Sequence, residues 1–406
     1  MKTKQKIFND PVYGFITIPS GILLDIIDHP YFQRLRRIKQ TGLTHLVYPG
    51  ALHTRFHHTL GALNLMMQAI DVLRSKGIDI TEEEKTAVCL AILLHDIGHG
   101  PFSHALEGRI TDCSHEDLSL AFMHYFNEIH GGQLDLAILI FTKKYAKKYL
   151  SQLVSGQLDM DRMDYLQRDS FYTGVSEGII GYDRIIKMLD VRNNALVIEE
   201  KGIYSIEKFL ISRRLMYWQV YLHKTSVAAE LMLKKFWQRI KLLYASNALD
   251  VSLHRLGTFV QQAMTVDLFM DPSRKALDIF AQLDDFDITF LLKDALHSRD
   301  EILRILAEGI LYRKLFKLHY NADMDMEQLK DRVMASFEPN FIPKKDEMSY
   351  LVFEGTEKNR LYDPAGKDEI MILLKNESIL PFSHMSQLQL PLKLEEKTYV
   401  CHIPVQ

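Results

Sequence analysis

The sequence predicts a mainly α-helical chain with a smaller α+β portion at its C-terminal end. Three observations predict it. Between residues 56 and about 73, His58, Gly61, Ala62, Leu65, Ala69 and Val72 recur at helical spacing and share one face. Thr81-Glu82-Glu83-Glu84 is a capping box, a threonine N-cap with a glutamate three residues on, ahead of an apolar run. Only near the end, at about 350–354, 369–374 and 398–403, do short runs separated by Gly, Pro and Asn read as strands.

In chain order, residues 1–50 open with turn-like text (Asn9-Asp10-Pro11, Pro19-Ser20-Gly21). A short amphipathic segment follows at 23–27, then the basic stretch Gln33-Arg34-Leu35-Arg36-Arg37-Ile38-Lys39. The helix after Thr81 should run from about 82 to 97, with Val88, Ala91, Ile92 and His95 as its buried face. Gly98, Gly100 and Pro101 stop it. Further helices are expected at about 115–130, 133–148, 159–169, 182–190 and 205–245. Asn193-Asn194 opens a hairpin-like interruption with Leu196-Val197-Ile198 as one arm. Residues 257–336 are again mostly helical by pattern, and both tryptophans, Trp218 and Trp237, are expected in the core. A soft boundary falls near 245–255. Residues 1–250 then form a core with an N-terminal segment, 1–50, and residues 251–406 form a helical, then α+β, region.

Composition narrows the function classes. Of 406 residues, 47% are hydrophobic and 25% charged, so a packed globular fold is expected rather than disorder. The net charge of −3, from 49 basic and 52 acidic residues, does not support a stable nucleic-acid partner, although local basic clusters could grip a small phosphorylated ligand. The three cysteines (Cys89, Cys113, Cys401) are far apart with no CxxC pair, which fits a reducing, cytoplasmic setting and not a thiolate metal site. No apolar h-region follows the polar N-terminus, and no apolar run is long enough to span a membrane.

The densest chemistry is His95-Asp96-Ile97-Gly98-His99-Gly100-Pro101-Phe102-Ser103-His104. Imidazole nitrogen and carboxylate oxygen together suit borderline divalent metals. Adjacency alone carries little weight, since a lone histidine on an apolar helix face is usually a satisfied core residue. The glycine-rich turn raises the odds by bringing His99 and His104 to the same helix end. His58 lies beside the small residues Gly61 and Ala62, which let a partner helix come close. In 158–169, Asp161, Tyr165 and Asp169 are spaced i, i+4, i+8 and share a face, whereas Asp159 and Asp164 read as solvated charge.

The order His58 … His95-Asp96 … Asp161 resembles the H…HD…D arrangement of the HD superfamily of metal-dependent phosphohydrolases. His53-Thr54-Arg55-Phe56-His57-His58-Thr59-Leu60-Gly61, the HDIGHGPFSH run, and Asp161-Arg162-Met163-Asp164-Tyr165 with Asp169 further resemble its deoxynucleoside-triphosphate triphosphohydrolases, which include bacterial dGTPases. The match covers about residues 5–240 and implies a helical HD core. It implies His58, His95, Asp96 and Asp161 as metal ligands, and His99 and His115, with Asp96, as catalytic residues beside the scissile phosphate. Arg55, Arg162, Arg213 and Lys224 would contact phosphates. Tyr165, Asp169 and Tyr221 would line the deoxyribose, with Gln40 near its 3′-hydroxyl. His104 would be a hydrogen bonder rather than a ligand. Lys6, Asp28, Gln33 and Arg36 match a guanine-nucleotide activator site between subunits, which would need a homo-oligomer, dimer or tetramer; an ordinary salt-bridged surface is the equal alternative. In vertebrate members, lysine stands at the Arg162 position, aspartate at Glu107 and leucine at Thr41, and these departures bear on the nucleotide preferred.

The implied reaction is hydrolysis at the α-phosphorus of a deoxynucleoside triphosphate such as dGTP, releasing deoxynucleoside and triphosphate. The implied cofactor is a divalent ion: Mn, Fe, Ni, Zn or, less suited to imidazole, Mg. Two other readings stay open. One is an HD phosphohydrolase for another phosphoester, such as a nucleoside monophosphate or cyclic nucleotide. The other is an inactive nucleotide-binding regulatory module.

Overall fold

The computed structural model describes residues 5–337, 341–359, 369–386 and 395–405. It is mainly helical, with three small sheets. The N-terminal turn-like text is the bend of a hairpin, β1 (Gln5–Asp10) against β2 (Gly14–Pro19), in register from Gln5↔Pro19 to Asp10↔Gly14. Asp10 makes that bend by accepting from the backbone N–H groups of Val12 and Tyr13 at 3.0 and 2.9 Å.

The core is built from long helices. α1 (Arg55–Ser75) packs against α2 (Glu82–Leu94) and α4 (Met160–Thr173), while α3 (His115–Ile129) closes over the end of α2. The capping box forms as expected: the Thr81 hydroxyl accepts from Glu84 N at 3.1 Å, and the Glu84 carboxylate accepts from Thr81 N at 2.8 Å. α2 buries more than the expected face, because Ala87 to Leu94 are buried all round. A second capping box, Ser114 with Asp117, fixes where α3 begins.

Three expected helices are modified. The stretch 133–148 divides into Asp135–Phe141 and Lys148–Val154, with Lys143 in the left-handed region at the break (φ 60°). The helix at 182–190 ends at Lys187, and its tail becomes strand β3 (Leu189–Arg192), which pairs with β4 (Ala195–Glu199). The long tract 205–245 is α5 (Ile203–Met216), a π-helical turn (Tyr217–Tyr221), then α6 (Lys224–Ala245), which His223 caps by accepting from Thr225 N at 3.2 Å. A π-turn of this kind commonly marks a functional site. It also turns Trp218 out to a partly exposed position under Lys397, whereas Trp237 is in the core as expected.

Beyond α6, α7 (Asp285–Ala295) and α8 (Glu301–Leu311) complete the helical part. β5 (Lys317–Tyr320), β9 (Glu395–His402) and β6 (Val352–Asn359) form an antiparallel sheet with β9 central. The segment at 350 is the end of a short helix, Met348–Leu351, before β6 starts. β7 (Met371–Leu373) pairs with β8 (Ile379–Pro381) and, in parallel, with β4, so the C-terminal region extends a sheet begun by the core. Buried Arg34 ties three segments together by donating to Ile97 O at 2.6 Å and Leu283 O at 3.2 Å. Among the described residues, no helix is long and apolar enough to cross a membrane.

Candidate active site

The site gathers at one end of the helical core. α1 presents His58 in its first turn, α2 ends at His95 and Asp96, and α4 presents Asp161. The close approach of α1 and α4 depends on Gly61: a Cβ there would lie 1.9 Å from an Asp164 oxygen and 2.2 Å from Arg168 Nη2. Gly98 does the same for the motif turn, since a Cβ would meet His115 O at 2.2 Å and Ser119 N at 2.4 Å. The turn is further held by Asp285, which accepts from Phe102 N and Lys39 N, both at 2.9 Å. Phe102 sits there at φ 44°, a left-handed conformation unusual for a bulky residue.

The four expected ligands converge. His58 Nε2 lies 3.1 Å from Asp161 Oδ1, 3.4 Å from His95 Nε2 and 3.7 Å from Asp96 Oδ2. His95 Nε2 lies 3.3 Å from Asp96 Oδ1 and 3.5 Å from Asp161 Oδ1. Each imidazole is oriented through its other nitrogen. His58 Nδ1 pairs with Asp164 at 2.7 Å, and His95 Nδ1 with Ile92 O at 2.6 Å, leaving both Nε2 atoms facing the cluster. Burial works against a charged His58, yet its bonds to Asp161 and Asp164 outweigh burial and push it up to about 10. The same histidines hold Asp161 well below the usual carboxylate range, against its own burial. A cluster with this bias toward positive charge, offering imidazole nitrogen and carboxylate oxygen at one point, fits a divalent cation.

A second group adjoins the first through Asp96. His99 Nε2 lies 3.3 Å from Asp96 Oδ1, and the His99 ring stacks on His115 at 3.9 Å between centroids. Burial, reinforced by Arg55, lowers His99 to about 3, a neutral imidazole. His115 goes the other way: burial opposes charge, but Glu107, which pairs with Nδ1 at 2.6 Å, outweighs it and raises His115. Two stacked histidines are thus pushed in opposite directions.

The expected substrate residues divide. Tyr165, Asp169, Tyr221 and Gln40 line one cavity of about 350 Å³, together with Thr41, Thr44, Tyr217, Val227, Glu230, Lys234 and Glu357. Asp169 is clamped there, pairing with His53 Nε2 and accepting from Tyr221 Oη, both at 2.6 Å. Arg162 and Arg213 stand beside Tyr165, near enough to act on its hydroxyl electrostatically along with Asp161. Arg162 is paired to Asp159, and buried Arg213 has no partner on Nε. Arg55 does not reach outward: it is buried, donating to Asp96 Oδ2 at 2.5 Å and to Ser103 Oγ at 3.1 Å. Lys224 is not in this cavity. It lines a separate basic cleft with Arg313, Lys317 and His319. Of the N-terminal group, Lys6 pairs with Asp28 at 2.6 Å, and Arg36 Nε donates to Gln33 Oε1 at 2.8 Å. The His104 side chain lies outside the described residues.

Two aspartates read as solvated are buried. Asp164 is fully inaccessible, binding His58 and Arg168 (Nε–Oδ2 2.9 Å), and Arg168 continues to Asp10 at 2.7 Å. Asp159 caps α4, accepting from Arg162 N at 2.7 Å. The i, i+4 pair Asp164/Arg168 was a signal in the sequence. Asp285 had none, and the partner of His53 was not legible either, because the two partners are 246 and 116 residues away along the chain.

The family model for the HD domain matches residues 55–169, and the model for the HD-associated region matches 180–253. The uncharacterized protein YwfO of Bacillus subtilis is 32% identical over 401 residues, covering 95% of this chain and 88% of that protein. A deoxynucleoside triphosphate triphosphohydrolase SAMHD1 homolog of Dictyostelium discoideum is 33% identical over 399 residues, covering 89% of this chain and 77% of that one. The chain belongs to the HD phosphohydrolase superfamily. Among solved structures, a phosphohydrolase of Bacteroides thetaiotaomicron superposes with a TM-score of 0.91 at 48% identity, covering 98% of this chain and 100% of that one. A hypothetical protein of Aquifex aeolicus gives a TM-score of 0.72 at 29% identity, with 98% and 97% covered. The HD-domain match ends at Asp169, so it takes in all four candidate ligands.

Proposed function

We propose that this HD phosphohydrolase hydrolyses deoxynucleoside triphosphates to deoxynucleoside and triphosphate. One observation carries the reading. Tyr165, one helical turn beyond candidate ligand Asp161, opens directly into the cavity that Asp169, Tyr221 and Gln40 line, with Arg162 and Arg213 alongside. A candidate metal ligand, the cation Arg162 and a nucleoside-sized cavity then follow one another along α4, with Arg213 brought alongside from α5. The volume of about 350 Å³ is at the small end of the ~300–1,000 Å³ usual for ligand pockets, as a nucleoside requires.

His58, His95, Asp96 and Asp161 would hold the metal, for which Mn, Fe, Ni or Zn suit the imidazoles better than Mg. When bound, such a metal polarises a phosphoryl oxygen and makes water a competent nucleophile near neutral pH. The protein does the rest. Arg55 fixes Asp96 and neutralises part of its charge. His115, biased toward its charged form by Glu107, would deliver a proton to the leaving 5′-oxygen, with His99 stacked beside it. Arg162 and Arg213 neutralise the polyphosphate. The Tyr221–Asp169–His53 chain keeps the wall against the sugar rigid.

Cytoplasmic residence accords with three free, buried cysteines. An activator role for Lys6, Asp28, Gln33 and Arg36 would need a second subunit.

The test is incubation of metal-loaded protein with each dNTP, with and without dGTP, resolving nucleoside and triphosphate by ion-exchange chromatography. Triphosphate release, abolished in Asp96→Ala, is the expected outcome. No triphosphate from any dNTP across Mn, Fe, Ni, Zn and Mg sinks the reading in favour of another phosphoester, and a dependence on dGTP supports the activator site.

A further inference from the structure

The cavity has a wall that the proposed reaction does not use. α4 supplies Tyr165 and Asp169, but Glu230 and Lys234 come from α6 and Glu357 from β6. Val227, Glu230 and Lys234 follow at helical spacing, so this face of α6 is turned to the cavity. Glu230 approaches the chain at Gly42, where a Cβ would stand 3.7 Å from its Oε1. Among the described residues, Glu230 makes no hydrogen bond and no ion pair. Two further polar groups in the same lining, Gln40 Oε1 and Thr41 Oγ1, are buried and also lack partners. Buried polar atoms normally find a partner. Two buried oxygens without one, beside the half-buried carboxylate of Glu230, point to a ligand that brings donors.

We propose that Glu230 is a specificity-determining residue that reads guanine, its two carboxylate oxygens taking the adjacent N1–H and N2–H donors of the base. The proposal rests on the nucleotide reading above. Guanine alone among the four common bases presents two neighbouring N–H donors on its pairing edge. Adenine and cytosine each place a ring-nitrogen acceptor beside their amino group, and thymine flanks its single N–H with two carbonyl oxygens. A carboxylate repels those acceptors. Lys234, one turn further along α6, is a donor for the guanine O6 next to N1. Burial pushes the Glu230 carboxyl up to about 7, with Glu357 adding to the rise and Lys234 opposing it. Donors from a bound base would supply the stabilisation that the ionised form lacks in the free protein.

The test uses the products of the proposed reaction, which cannot turn over. Equilibrium dialysis measures deoxyguanosine, deoxyinosine, deoxyadenosine and thymidine binding to the metal-loaded full chain. Deoxyinosine is decisive, because it differs from deoxyguanosine only by the missing N2 amino group. The expected result is deoxyguanosine bound about tenfold tighter than the other three, the discrimination of one good bidentate contact. Glu230→Gln, which turns an amide donor toward the base donors, should erase that advantage. If Glu230→Gln does not fold, as judged by circular-dichroism melting, Glu230→Asp serves, its carboxylate withdrawn by one methylene. Equal binding of deoxyguanosine and deoxyinosine overturns the proposal, as does an unchanged guanine advantage in the variant, or failure of all four to bind. Triphosphate release from each of the four dNTPs is followed separately. Its absence from all four removes the dNTP reading, while a guanine preference that the variant erases keeps Glu230 as the base reader of whatever nucleotide is bound.

Discussion

The metal cluster and the N-terminal surface that carries Lys6, Asp28, Gln33 and Arg36 are built in opposite ways. In the cluster, each imidazole spends one nitrogen on a buried partner, Asp164 or Ile92 O, and turns the other to a shared point beside Asp161. At the N-terminal surface the charged groups spend themselves on each other, Lys6 on Asp28 and Arg36 on Gln33, and Gln33 also donates to Ile27 O at 2.7 Å. The first arrangement is preorganised for a cation. The second is closed on itself and solvated; Lys6 and Asp28 are about half exposed, at 44% and 57%. The difference teaches that matching residue types alone do not show how far a site is built in one chain. What counts is whether their polar atoms are held in place by other partners while one atom each remains unspent.

The comparison can be broken at either end. The largest effect is expected for Asp161→Ala. Losing a ligand shared by both histidines should lower metal content and triphosphate release by more than the roughly 10–100-fold typical of partners behind the ligands. Metal analysis after dialysis and the chromatographic assay check it. Asp164→Asn comes next: it keeps shape but removes the charge shared by His58 and Arg168. A loss of about 3 kcal/mol in denaturant unfolding is expected, since a buried guanidinium loses its counter-charge, with metal affinity down about 10–100-fold. An unchanged metal affinity would show that His58 needs no orienting partner. Gly61→Ala should cost about 1–3 kcal/mol by overpacking α1 against α4, with a lowered melting temperature. The smallest effect belongs to Lys6→Ala, below about 1 kcal/mol in the same unfolding measurement, as for exposed ion pairs generally. A larger loss would mean that this surface is more than a solvated pair.

The cavity shows the same contrast on a smaller scale. Asp169 is fully engaged by His53 and Tyr221, whereas Glu230 in the same lining has no hydrogen-bond partner among the described residues. Asp169 fell at a helical spacing from Asp161 and was legible in the sequence. Glu230 was not, because an acidic residue in the middle of a helix reads as solvated charge unless the strand that covers it, here β6, is known.

By itself the sequence determined the helical class, the capped start of α2 and the strand-forming end of the chain, and its order of His58, His95-Asp96 and Asp161 carried the family resemblance that implied the four candidate ligands. The first three depend on local rules: a period of 3.6, a threonine and glutamate three apart, and turn residues between short apolar runs. Only the tertiary structure decided that Asp164 is buried behind His58, that Arg55 is spent on Asp96, that Lys224 faces another cleft, and that the 205–245 tract breaks at a π-turn to bring Tyr221 to Asp169. Most of those outcomes turn on partners more than 40 residues apart. Whether a charged group is solvated, paired or left waiting for a ligand is set by what packs across it, and that information is not local to the residue that carries the charge.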